Sequence, residues 1–164
     1  MTQQAFATPA ELAEALLAAP ELLGELVAPL SAADASALVD HLKNEADRHW
    51  WINANQSLVF ADLIVQVGRL RGDAWQTALG TMARGDALKF VGNIQEAWNL
   101  LGEAGALFES IGDAVGWART RIGRMLISVE LSRVDEALAD AERAREVFEQ
   151  SGELARLLVQ TQAG

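Results

Sequence analysis

The sequence predicts an all-α chain, in which antiparallel helix pairs stack behind a short N-terminal helical cap. All three prolines lie within the first thirty residues, so the remaining chain lacks the residue that most reliably breaks helices. Apolar residues recur there at helical spacing. Gly72, Gly112 and Gly152 follow one another at intervals of forty residues. A helical repeat is the fold class that these observations predict.

The cap is assigned to residues 1–30. In TPAELAEALLAA, Thr8 stands before an apolar run and Glu11 follows three residues later, a spacing typical of a capped helix start. We expect this helix to end near Pro20, since proline disfavours a helical residue before it. Ser31 is the predicted cap of the first long helix, which begins the repeat array of residues 31–164.

The array divides into units at about 52–91, 92–131 and 132–164. Small residues coincide in this frame at Ser57, Ala97 and Ala137, where we expect close helix approach. The recurring glycine suits a left-handed turn at a helix end, and the acid after it suits the cap of the next helix. Each unit is therefore a helix pair, and the chain is expected to form about seven helices, the last five as antiparallel neighbours.

Composition disfavours several functional classes. The formal net charge of -10 would repel the phosphates of nucleic acid. The chain has no cysteine, so disulfides, thiolate metal ligands and cysteine nucleophiles are all excluded. We recognise no secretory signal and no apolar run long enough to cross a bilayer. A cytoplasmic protein without nucleic-acid or membrane partners is expected.

The helix pair in LGTMARGDALKFVGNIQEAWNLLGEAGALF resembles the tetratricopeptide repeat (TPR) family. Leu79 and Gly80 match the Leu-Gly of its first helix, while Gly92, Glu96 and Ala97 match its turn and second helix. The unit is longer than the family's about 34 residues. It is similar to the extended repeats of bacterial signalling regulators and of segments preceding CHAT peptidase domains, and the resemblance covers roughly residues 33–164.

This resemblance implies a right-handed TPR-like α-solenoid whose first helices line a concave groove. The predicted groove residues are His41, Asn44, Thr77, Thr81, Arg84, Trp117, Arg121 and Arg124. Since arginine forks suit carboxylates, we expect an acidic peptide to bind there. The alternative is that the arginines pair with acids of the chain itself, and the candidates are Asp113, Glu109 and Glu103.

Two further groups of residues are interpreted more simply. His41, Glu45 and His49 stand four residues apart along one helix, and the outer two are about 12 Å apart along the helix axis, too far for one ion. We therefore expect neither a metal site nor a cofactor. Trp98 and Trp51 share their repeat positions with aliphatic residues and are predicted to be core, whereas Trp117 remains available for a ligand.

We find no catalytic constellation, so the predicted function is a non-catalytic scaffold that binds a peptide or protein segment in its groove. The alternative is a structural or regulatory segment of a larger signalling or CHAT-peptidase protein. Such a segment would contact neighbouring domains or assemble with itself through a terminal helix carrying Leu154, Leu157 and Leu158.

Overall fold

The computed structural model describes residues 8–152. Within that range the chain forms eight α-helices and one short 3₁₀ helix, and no β-strand occurs there. The helices are α1 (Pro9–Ala18), α2 (Leu23–Val27), α3 (Ala32–Arg48), α4 (Ala54–Arg71), α5 (Ala74–Val91), α6 (Ile94–Ser110), α7 (Ala114–Met125) and α8 (Val134–Ser151), with the 3₁₀ helix at Pro20–Leu22. The prediction of about seven helices missed the five-residue α2, which is too short to show a periodic pattern.

The predicted helix starts are confirmed. The Thr8 hydroxyl accepts a hydrogen bond from the Glu11 backbone N–H at 3.1 Å, and Ser31 caps α3 through the Asp34 N–H at the same distance. These contacts satisfy N–H groups that have no partner within the helix. Helix α1 ends at Ala18, just before Pro20 as predicted.

The predicted left-handed glycines and the aspartate caps after them are also confirmed. Gly72, Gly112 and Gly152 adopt left-handed φ values of 63°, 75° and 73°. Asp73 and Asp113 then each accept a hydrogen bond at 2.9 Å from the backbone N–H three residues on. Each of these two turns therefore ends one helix and caps the next within two residues.

Helices α3 to α8 pack in chain order, each on the next, and α5 also contacts α3 and α7. Ser57, Ala97 and Ala137 are all buried, as their small size in the repeat frame predicted. The N-terminal helices contact the longer ones through α1, which packs on α3, and through Arg71 of α4. The Arg71 guanidinium donates to the carbonyls of Val27 and Leu30 at 3.2 and 2.9 Å.

None of the described helices combines the length and the apolar character needed to cross a lipid bilayer.

Helix α7 is shorter than α5, its counterpart in the preceding unit. Residues 126–132, which follow it, form turns instead of a further stretch of helix. That segment ends near Ser132, which has a φ of 55° where the preceding unit has Gly92 at 100°. Left-handed backbone costs a residue with a side chain about 1 to 2 kcal/mol. The loop between α7 and α8 therefore carries strain that the other repeat turns avoid with glycine.

Replacing Ser132 by Gly is expected to stabilise the protein by about 0.5 to 1 kcal/mol, because the relief of backbone strain in the folded state outweighs the greater conformational entropy of glycine in the unfolded chain. Urea unfolding measures this change. Gly92→Ser is the reciprocal control and should destabilise. If Ser132→Gly lowers the unfolding midpoint instead, the Ser132 side chain contributes contacts that outweigh its backbone strain.

Candidate functional site

The predicted groove residues do not line one open surface. His41 faces a depression of about 410 Å³ between α1, α3 and α4, which it shares with His49, Gln56 and Phe60. Asn44 is exposed on α3. His41 therefore lies with residues of α1 and α4 and not with the α5 and α7 residues of the predicted groove.

The two threonines of the predicted groove serve the contact between helices. The hydroxyls of Thr77 and Thr81 donate to backbone carbonyls four residues earlier, at 2.9 and 2.8 Å. Thr77 lies directly against Gly68 of α4, and Thr81 is buried. The prediction that Thr81 faces a ligand is wrong because this face of α5 is covered by neighbouring helices.

Arg84 pairs with Asp62 of α4, which is none of the three acids considered from the sequence. Its Nε lies 2.8 Å from Asp62 Oδ1, in ion-pair contact without the alignment of a hydrogen bond. Burial raises the pKa of the Asp62 carboxyl, and the nearby Arg84 charge lowers it by less. This pair connects α4 and α5 and is partly open to solvent.

Trp117 is buried, with 4% of its surface exposed, so the prediction that it is available for a ligand is wrong. The guanidinium groups of Arg121 and Arg143 lie 5.2 and 4.2 Å from its ring centroid. Arg121 Nη1 is 3.8 Å from Asp140 Oδ2 on α8, and Arg143 Nη2 is 3.2 Å from Glu109 on α6. One cation of α7 itself and one of the neighbouring α8 thus lie against the indole.

Arg121 and Arg124 are partly desolvated by the helices around them. Burial lowers the pKa of Arg121 and, with repulsion from Arg121, lowers the pKa of Arg124 to about 10. Arg124 donates from Nε and Nη2 to the Trp98 carbonyl, at 3.1 and 2.9 Å, and lies 4.2 Å from the Trp98 ring centroid. Trp98 is buried, as predicted. We call Arg84, Arg121 and Arg124 the arginine stripe. Through Arg121 and Arg124 it connects α7 to α8 and to α6.

The sequence contained one signal for this role of the arginines. Gly102 and Gly105 of α6 face Arg124 and Arg121, and a side chain at either glycine would collide with the guanidinium group opposite. Glycines in the middle of a helix are unfavourable unless close packing requires them. Glycines at these two positions indicated close packing on this face of α6. The structure shows that Arg124 and Arg121 are the side chains packed there.

The four most exposed large apolar side chains of the described residues follow the ends of α3 and α7, and Val91, also exposed, ends α5 between them. We call this surface the apolar edge. It comprises Trp51, Ile52, Val91, Leu126 and Val129, whose exposed fractions are 84%, 66%, 41%, 71% and 72%.

Trp51 is the most exposed residue of the apolar edge. The prediction that Trp51 is core is wrong, because the repeat position it shares with Val91 and Leu131 falls where helices end. Its ring meets Phe90 edge-on at 4.6 Å, and Phe90 stacks at 5.3 Å on Trp50. Phe90 therefore packs against the exposed indole and is itself stacked on Trp50.

Leu154, Leu157 and Leu158, the predicted terminal contact, lie outside the described residues. Comparison with protein-family models, with curated proteins and with solved structures finds no significant match to this chain.

Proposed function

We propose that this chain is a non-catalytic protein-binding module that holds a short segment of a partner protein on its apolar edge. The observation that carries the proposal is Trp51, which is 84% exposed and yet braced by Phe90. Large rigid aromatic side chains are typical anchors of protein interfaces. A clustered apolar surface is also costly to leave in water.

A polar group beside this surface supports binding of a peptide backbone. The indole N–H of Trp50 is buried and has no hydrogen-bond acceptor, although buried donors normally have one. Trp50 stacks on Phe90, which also contacts Trp51. We propose that the Trp50 ring shifts when the segment binds, so that a backbone carbonyl of the segment accepts this hydrogen bond while an apolar side chain of the segment covers Trp51.

Because the proposed site is the apolar edge and not the predicted groove, the charge expected of the partner is different. An acidic peptide was expected because three arginines were assigned to the groove. Arg84, Arg121 and Arg124 instead contact Asp62, Asp140 and the Trp98 carbonyl within the chain. With a net charge of -10, the protein favours approach of a neutral or basic segment.

The TPR-like architecture is part of the same proposal. The glycine and aspartate turns at 72–73 and 112–113, and the contacts of α5 with both α3 and α7, support a right-handed stack of extended helix pairs. We also propose a cytoplasmic location, which the absence of cysteine favours.

Selection of a random-peptide display library on the immobilised protein tests the proposal. Enriched peptides are expected to carry an apolar or aromatic anchor and to bind Trp51→Ala at least tenfold more weakly, since loss of an aromatic anchor costs 2 kcal/mol or more. Leu70→Ala is the matched control, because Leu70 of α4 is also an exposed apolar residue, at 44%, but lies away from the apolar edge.

Two results would contradict binding at the apolar edge. One is that enriched peptides bind Trp51→Ala as tightly as the parent. The other is that Leu70→Ala weakens binding as much as Trp51→Ala, which would indicate non-specific adhesion to apolar side chains.

A second candidate function, contact of α8 with another domain or another copy, is favoured by Leu138. This residue is 57% exposed, whereas Trp98 at the same repeat position is buried beneath Arg124 and Arg133. No described residue covers Leu138 in that way. Failure to enrich any peptide, together with a molar mass that rises with protein concentration, would favour this second function.

A further inference from the structure

Four charged side chains lie where α3, α5 and α7 meet. On α3, Lys43 Nζ is 2.6 Å from Asp47 Oδ2; on α5, Lys89 Nζ is 2.9 Å from Asp86 Oδ1. The Asp86 and Lys89 side chains are only 12% and 8% exposed. Lys89 also donates to the Gly123 carbonyl of α7 at 3.4 Å. An ion pair of α5 is therefore enclosed by helices on either side.

Gly123 allows α7 to approach Asp86 closely. A Cβ atom built on Gly123 would lie 3.0 Å from Asp86 Oδ1 and 3.1 Å from a methyl carbon of Leu101. The face that α7 presents to the carboxylate is thus backbone, and the neighbouring part of α6 is an apolar side chain. Packing of α7 removes water from Asp86 and supplies no charge in return.

The charges acting on Asp86 come from α5 and α3. Burial has the largest effect and raises the pKa of Asp86, Lys89 on α5 and Lys43 on α3 lower it, Asp47 on α3 raises it, and the net shift is upward. The packed arrangement therefore shifts Asp86 toward the neutral carboxylic acid. An arrangement in which water reaches Asp86 favours the carboxylate.

We propose that Asp86 couples the packing of α7 against α5 to pH, so that the contact at Gly123 is tight when Asp86 is protonated and opens more readily when Asp86 is ionised. Because folding raises the affinity of this acid for its proton, its contribution to the closed state is complete below the ordinary aspartate pKa. That contribution is lost as the pH rises through the pKa of the packed group. The coupling does not depend on the proposed binding function.

Amide hydrogen exchange of α7, measured between pH 4 and pH 8 and corrected for intrinsic exchange rates, tests the coupling. The opening equilibrium of residues 114–125 in the parent is expected to increase with pH, by up to tenfold for each pH unit within the titration range. In Asp86→Asn it should not vary with pH. Asp62→Asn is the matched control, because it removes another acid of raised pKa from the α4–α5 contact and should leave the pH dependence of α7 intact.

Either of two exchange results overturns the proposal: a parent whose α7 opening is independent of pH, or an Asp86→Asn variant that retains the parent's pH dependence. A carboxyl ¹³C titration of Asp86 in the parent provides a measurement that does not rely on the variant. A pKa at or below the ordinary aspartate value would overturn the proposal even if Asp86→Asn did not fold.

Discussion

Replacing Gly80 by Ala is expected to lower the melting temperature by roughly 10 °C, which corresponds to about 3 kcal/mol for a chain of this size. A Cβ atom at this position in α5 would lie 2.6 Å from the Val65 backbone nitrogen and 3.0 Å from the Ile64 carbonyl carbon. These are main-chain atoms of α4, so relief requires the two helices to move apart. The clash outweighs the about 1 kcal/mol by which alanine favours a helix over glycine.

Gly24→Ala is the control for this substitution. Gly24 lies in α2, and no atom lies within 4 Å of the position where its Cβ would be, so only the helix preference of alanine remains. A small rise in melting temperature is expected. If Gly80→Ala were tolerated as well as Gly24→Ala, the close approach of α4 and α5 that defines the helix pair would be incorrect.

Arg124→Ala is expected to destabilise the protein by about 2 to 3 kcal/mol, since it removes two charge-assisted hydrogen bonds and a cation–π contact. Both hydrogen bonds go to the Trp98 carbonyl and the contact is with the Trp98 ring, so the loss loosens α7 from α6. Arg124→Lys should recover only part of this stability, because an ammonium group lacks the planar fork. Chemical unfolding monitored by circular dichroism measures both variants.

Arg145→Ala is the matched control for Arg124→Ala. Arg145 contacts only Glu142 and Glu149 of its own helix among the ion pairs of the described residues, and its side chain is 53% exposed. Such surface pairs contribute little to stability, so no change in the unfolding midpoint is expected. An unchanged midpoint for Arg124→Ala as well would return Arg124 to the role of an exposed ligand-binding residue.

Most helix boundaries could be predicted from sequence because local contacts determine them, whereas the short α2 and the early end of α7 could not. Thr8 and Ser31 each bind a backbone N–H three residues on, and the recurring glycines need only their own left-handed backbone. The repeat frame likewise identified Ala97 and Ala137 as buried. These assignments depend on residues close together in the chain or on repetition of the same environment.

The candidate site could not be predicted in the same way, because the repeat frame identifies equivalent positions without saying which neighbour covers them. Thr81 and Trp117 were assigned to an open face that other helices cover. Trp51 was assigned to the core although its position is exposed beyond the end of α3. Asp62, the partner of Arg84, is distant in sequence, so only the packing of α4 on α5 identifies it.

A ¹⁵N NMR titration with a display-selected peptide tests the central claim, that the apolar edge rather than the arginine stripe binds the partner. The indole N–H signals of the five tryptophans separate the two surfaces. We expect the Trp50 and Trp51 signals to shift, with that of Trp50 moving downfield as it gains an acceptor, while Trp98 and Trp117 remain unchanged. Shifts at Trp98 and Trp117 with an unperturbed Trp51 would contradict the account.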